Sequence, residues 1–185
     1  MKFLIVIDCQ VDFVTGALAN PEAQKRIPNI IEKVREADRN GKTIIFTKDT
    51  HFNDSYDKSL EGQKLPVPHC IYNTAGWHIV PEVYSAATEE NMGTRTYTID
   101  KLTFGSENLP DFIGHLADHE EIEIEIIGFV SSICVVSNAL ILRATYPNTP
   151  IKVDASCCAG LTKEDHDAAM LVMQNCQIDI ENWER

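Results

Sequence analysis

The chain has no run of the roughly twenty apolar residues that a membrane-crossing helix needs. It has no basic excess either. Lysine and arginine number 16 against 28 acidic side chains, a formal net charge of -12, so neither nucleic acid nor an anionic membrane attracts it electrostatically. No Gly-rich fingerprint follows the first predicted strand and no phosphate loop occurs, which argues against a nucleotide. The six cysteines form no Cys-x-x-Cys pair and no regular framework. A chain of 185 residues needs no staples, so they are expected to be reduced thiols in a cytoplasmic protein. The apolar opening resembles a leader, but Asp8 cuts it short and no small-residue cleavage site follows; a buried strand is the better reading. There is no internal repeat and no low-complexity tract. The length suits one α/β domain over residues 1–185.

What is present is a series of short apolar runs. Residues 3–7 and 43–47 read as strands covered on both faces. Further strands are expected at 94–99, 121–127 and 151–155, with a short one at 178–180. Helical periodicity marks residues 28–39, 109–119, 132–144 and 163–174. This alternation predicts a doubly wound, mainly parallel sheet with helices on both faces. Residues 48–82 carry little periodicity and several prolines. A loop of that length in a compact domain is functional or disordered, and its His51, His69, Tyr72, Trp77 and His78 argue for function.

Chemically loaded residues fall where the strands run out. In an open parallel sheet the carboxyl ends share one edge, and ligands bind there. Asp8 ends the first strand, Lys101 follows the third, and Cys134 opens the helix after the fourth. A carboxylate, an ammonium and a thiol together make an activated nucleophile, with Asp8 as proton acceptor and Lys101 stabilising both anions. At the start of a helix the thiol pKa of Cys134 is expected to fall, and the free N–H groups there can hold an oxyanion. Each residue also has a bland reading: a loop-ordering aspartate, a solvated lysine, a small buried cysteine. Their joint placement favours the chemical one.

A second group lies in the long loop. Asp49 and His51 point the same way if that segment is extended. His69 follows a stiff Pro-Val-Pro, and Glu61 lies eight residues before it. Such a donor set suits Zn, Mn or Fe rather than Mg or Ca. Phe13, Trp77 and Phe104 occupy loops at the same edge and are candidate walls of an aromatic pocket.

These residues, in this order, resemble the isochorismatase-like cysteine hydrolases, most closely their nicotinamidase branch. Asp8-x-Gln10-x-Asp12-Phe13 is similar to the opening motif. Lys48-Asp49-Thr50-His51 resembles the metal-binding Asp-x-His, and Leu65 to Cys70 the proline-rich His-Cys segment. Lys101 with Thr103-Phe104-Gly105-Ser106 resembles the catalytic lysine and its loop, and Gly128 to Val135 the nucleophile segment. The resemblance implies a three-layer α-β-α sandwich on a six-stranded sheet and an Asp8-Lys101-Cys134 triad. It also implies a cis peptide at Phe129–Val130, with the N–H groups of Val130 and Cys134 as oxyanion hole. Further implications are a divalent metal, zinc first, held by Asp49, His51, His69 and Glu61 (or Asp57), and a homo-oligomeric assembly. The implied reaction is hydrolysis of a small amide, nicotinamide to nicotinate and ammonia. Another amide or ureido acid, isochorismate, or a noncatalytic binding role on the same fold are the alternatives. The sequence departs from the family's pattern at Ser131-Ser132, at Leu65-Pro66 and at the fourth metal ligand.

Overall fold

The computed structural model of the protein describes residues 1–88 and 95–184. Among them six strands form one parallel sheet: β1 (Lys2–Ile7), β2 (Thr43–Asp49), β3 (Thr96–Lys101), β4 (Glu123–Phe129), β5 (Ile151–Ala159) and β6 (Asp179–Glu181), in the order β3-β2-β1-β4-β5-β6. The order turns back on itself at β1. That places the crevice between the carboxyl ends of β1 and β4, with β2 and β3 beside it. Thr94, the expected start of the third strand, lies outside the described residues.

The helices are α1 (Val11–Val14), α2 (Pro21–Arg39), α3 (Leu60–Lys64), α4 (Pro81–Ala86), α5 (Asn108–Ala117), α6 (Val136–Thr145) and α7 (Lys163–Asn175). Strand alternation decides which face each side chain serves. Phe3, Ile5 and Ile7 pack with Leu109 and Ile113 of α5, Leu142 of α6 and Met170 of α7. Leu4 and Val6 pack on the other face with Ile30 and Val34 of α2 and Val83 of α4. Both faces are covered, as the unbroken apolar runs require. No helix among the described residues is long and apolar enough to cross a membrane.

Three local outcomes differ from the expectation. The helix read over residues 28–39 begins at Pro21, because Asn20 accepts a hydrogen bond from Glu22 N–H and Pro21 occupies the first turn. Pro28 lies inside that helix on its exposed side. The long segment 48–82 contains a 3₁₀ turn (Tyr56–Lys58), α3 and the start of α4, all too short to show a period. The helix read from residue 132 opens as a π-helical turn, Ser131–Val135, before α6 takes over.

Two features of β4 matter later. Glu125 points under α2 where an apolar side chain would be expected, and it is 3% exposed. Lys42 Nζ lies 2.7 Å and Lys33 Nζ 3.2 Å from its carboxylate, and Lys33 also reaches Asp154 at 2.7 Å. Gly128 takes φ +121°, and a Cβ built on it would stand 2.1 Å from the carbonyl oxygen of Ile7 in β1. Only glycine fits that approach.

Candidate active site

At the end of β1 the backbone of Asp8 turns through φ 45° and buries its carboxylate completely. Thr47 at the neighbouring strand donates its hydroxyl to Asp8 Oδ1 at 2.7 Å. Lys101 closes β3 and places Nζ 2.7 Å from Asp8 Oδ2, 3.2 Å from Asp49 Oδ1 and 3.6 Å from Cys134 Sγ. Cys134 sits in the π-helical turn that follows a cis peptide at Phe129–Val130. Sheet topology thus brings carboxylate, ammonium and thiol from three separate strand ends to one point. The cis bond stands where the family resemblance expected it. Val130, its second residue, is buried.

The electrostatics correct one expectation. Burial pushes the Cys134 thiol well above its ordinary pKa; the neighbouring Asp8 carboxylate adds to the rise, and Lys101 only partly opposes it. The helix-start argument predicted a fall. Full desolvation beside carboxylates outweighs the local dipole. Burial likewise raises the Asp8 carboxyl, against the pull of Lys101. For Lys101, burial disfavours the charge, but Asp8, Cys134 and Asp49 reverse this and raise its pKa. The Lys101 ammonium thus stands 2.7 Å from the Asp8 carboxylate and 3.6 Å from the Cys134 sulfur.

Asp49, His51, Glu61 and His69 meet on the far side of Asp49, with ligand atoms all within 4.8 Å of one another. Asp49 Oδ2 lies 3.0 Å from His51 Nε2 and 3.5 Å from His69 Nε2. Glu61 Oε1 lies 3.7 Å and 3.4 Å from the same two nitrogens. A tetrahedral ion with bonds of about 2.0–2.1 Å spaces its ligand atoms by about 3.3 Å. The four carboxylate–imidazole distances, 3.0 to 3.7 Å, lie around that spacing, and the two imidazoles and two carboxylates fit a divalent metal ion. His69 is also oriented from behind. Its Nδ1 lies 2.9 Å from Val67 O and 3.2 Å from Tyr56 Oη, leaving Nε2 to face the cluster. Burial disfavours charge on His69, yet Asp49 and Glu61 pull its pKa up to about 10. Asp57, the alternative fourth donor, lies in the 3₁₀ turn and outside the cluster.

The aromatic residues divide. Phe13 and Trp77 pack with Cys70 into a small apolar cluster next to the imidazoles, Phe13 lying 5.6 Å from His69 ring to ring. Trp77 is held on several sides. Its Nε1–H donates to Thr50 Oγ1 at 2.9 Å, and Lys48 Nζ stands 3.0 Å from its ring centroid. Phe104 does not join that cluster; its side chain is 45% exposed.

Several buried polar residues that hold this site carry no assigned role in the sequence, although Gln10 and Asp12 stand in the opening motif. Gln10 donates Nε2–H to both Asp49 O and Trp77 O at 2.8 Å, and accepts from Asp49 N–H at 2.7 Å. Asp12 accepts from Cys70 N–H at 2.7 Å and from Ala17 N–H at 2.9 Å, fixing the segment that carries His69. A polar residue three positions beyond a strand end, among apolar neighbours, was the available signal for Gln10. Nothing local marked Thr47 or Tyr56.

An all-parallel three-layer domain with a buried thiol, ammonium and carboxylate beside an imidazole–carboxylate cluster defines a recognisable class of α/β protein. The sequence matches the isochorismatase domain over residues 2–185, and the chain belongs to that family. Among its relatives is the nicotinamidase of Saccharomyces cerevisiae, 25% identical over 174 residues that span 76% of this chain and 80% of the yeast protein. The crystal structure of a pyrazinamidase/nicotinamidase from Streptococcus mutans superposes with a TM-score of 0.82 at 26% identity, covering 97% of this chain and 99% of that one. A Pyrococcus horikoshii pyrazinamidase, solved in complex with zinc, shares the fold with a TM-score of 0.76 at 24% identity, covering 98% and 99%.

Proposed function

We propose that the protein hydrolyses the carboxamide of nicotinamide, releasing nicotinate and ammonia. The observation that carries this reading is the convergence of Asp8, Lys101 and Cys134 within 2.7 and 3.6 Å contacts at the sheet edge. The nicotinamidase names among the relatives support the substrate.

In this mechanism Asp8 takes the thiol proton as Cys134 Sγ attacks the carboxamide carbon. Burial raises the Asp8 carboxyl above its ordinary value, which makes the carboxylate a stronger proton acceptor. Lys101 stays charged and keeps the Asp8 carboxylate and the developing sulfur anion in register. The N–H groups of Val130 and Cys134 receive the oxyanion of the tetrahedral adduct. On collapse the C–N bond breaks and Asp8 returns its proton to the leaving ammonia. Water then hydrolyses the thioester and the thiol is restored.

Asp49, His51, Glu61 and His69 would hold zinc, the metal their donor types favour. A metal held there would supply a Lewis-acidic anchor for the ring nitrogen of the substrate. Phe13 and Trp77, packed together beside the imidazoles, would flank the substrate ring.

The test is ammonia release from nicotinamide by purified protein and by Cys134→Ala, which should lose roughly 10⁴-fold or more of the activity. Unchanged release in the alanine variant would remove Cys134 from the mechanism. No release from the native protein would remove the substrate.

A further inference from the structure

Asn138 is fully buried in α6, one turn beyond Cys134. Its amide nitrogen donates to Cys134 O at 2.8 Å and to Phe104 O at 3.1 Å, and its Oδ1 accepts from Ser106 N–H at 2.9 Å. Both N–H groups and the oxygen are therefore engaged. Two of the three partners lie in the loop that follows Lys101.

That loop has little else to fix it. It forms neither helix nor strand, and its large side chains point outward, Leu102 being 66% and Phe104 45% exposed. Yet it bears directly on the ammonium: Lys101 Nζ donates to Thr103 O at 3.2 Å. Thr103 in turn donates its hydroxyl to Gly105 O at 2.6 Å. Gly105 lies flat on α6, where a Cβ would stand 2.5 Å from Ile141 Cδ1. A single buried amide thus ties the lysine loop to the carbonyl of the cysteine.

We infer that Asn138 is a positioning residue that sets the Lys101 ammonium against the Cys134 sulfur by clamping the loop of residues 102–106 to the nucleophile's own backbone. The inference rests on the proposed partnership of Lys101 and Cys134. It makes Asn138 act through Lys101, without touching substrate. A shift of about 1 Å in such an arrangement costs about a hundredfold in rate.

The experiment is a double-mutant cycle between Asn138→Ala and Lys101→Ala. It has two readouts: kcat and KM on nicotinamide, and the rate of iodoacetamide alkylation of Cys134 against pH, located by peptide mass mapping. Asn138→Ala should lower kcat about a hundredfold with KM within threefold, and should change the alkylation profile of Cys134. In the Lys101→Ala background the same substitution should leave that profile unchanged. Equal effects of Asn138→Ala in both backgrounds would overturn the inference. So would a lowered melting temperature with kcat and alkylation intact, the outcome of a purely structural role. If the alanine variant does not fold, Asn138→Asp keeps the shape and the acceptor for Ser106 and enters the same cycle. Alkylation needs no substrate, so a native protein inactive on nicotinamide refutes the substrate reading alone and the cycle still decides the role of Asn138.

Discussion

Gly128→Ala tests the link from sheet packing to chemistry. The residue lies at φ +121°, and the added methyl would stand 2.1 Å from Ile7 O, 2.7 Å from Ile7 N and 2.8 Å from Ile7 C. These are backbone atoms of a central strand, so no side chain can swing aside. Holding alanine in that conformation costs about 1–3 kcal/mol, and relieving the overlap costs about 1–3 kcal/mol more. Against this, alanine narrows the unfolded ensemble and returns about 0.4–1 kcal/mol. The net loss is about 3 kcal/mol, a fall in Tm of about 6–12 °C for a domain of this size. Relief also moves the end of β1 away from β4 by about 1 Å, toward ordinary contact. Ile7 immediately precedes Asp8, and Gly128 lies two residues before Val130. The move therefore opens the gap between Asp8 and Cys134, which, on the proposed mechanism, predicts a loss of about a hundredfold in kcat. Urea unfolding and ammonia release on one preparation measure both quantities. A variant within 1 kcal/mol of native stability and with full turnover would refute the argument that this contact sets the Asp8–Cys134 distance.

Other consequences are equally direct. His69→Ala should lower the metal content of protein purified without added metal, measured by elemental analysis. Tyr56→Phe, which keeps the ring but removes the hydroxyl beside His69 Nδ1, should weaken metal affinity about 10- to 100-fold. Retention of metal by both variants would dissolve the proposed ligand set. Glu125 gives a pH prediction. Burial disfavours its charge, but Lys42, Lys33 and Lys152 overcome this and lower its pKa. A carboxyl depressed in the folded state contributes stability above its unfolded value, near 4.3. That contribution is lost as pH falls through the folded value. Glu125→Gln should therefore cost about 1–2 kcal/mol at pH 7, the solvent-reaching lysines screening the pair. The cost should shrink as the solution is acidified below pH 4, followed by urea midpoints. A penalty constant from pH 7 to pH 2 would exclude this cause.

The strands and the three residues that meet at the sheet edge, Asp8, Lys101 and Cys134, were legible because their signals are local. An apolar run of five residues that ends in Asp8, or a Gly128-to-Cys134 turn after a strand, needs no knowledge of the rest of the chain. Topology then does the gathering, since parallel strands leave all their carboxyl ends on one edge. What stayed hidden depended on partners remote in sequence. Gln10, Thr47 and Asn138 are polar residues in apolar surroundings, and only the folded chain shows which carbonyls and amides they meet. The start of α2 was missed because Pro28 looked like a beginning, whereas the capping Asn20 and Pro21 mark it seven residues earlier. The thiol of Cys134 was misjudged for a similar reason: a helix start is visible in sequence, but its depth of burial beside Asp8 is not.

Asp49 has one carboxylate and two sets of obligations. Oδ1 faces the Lys101 ammonium, while Oδ2 faces both imidazoles. The two oxygens turn together about one bond, so neither contact can be improved without disturbing the other. A substitution that reshapes the histidine cluster is felt at the sulfur through that rotation. Redesigning one centre of this protein means retuning both.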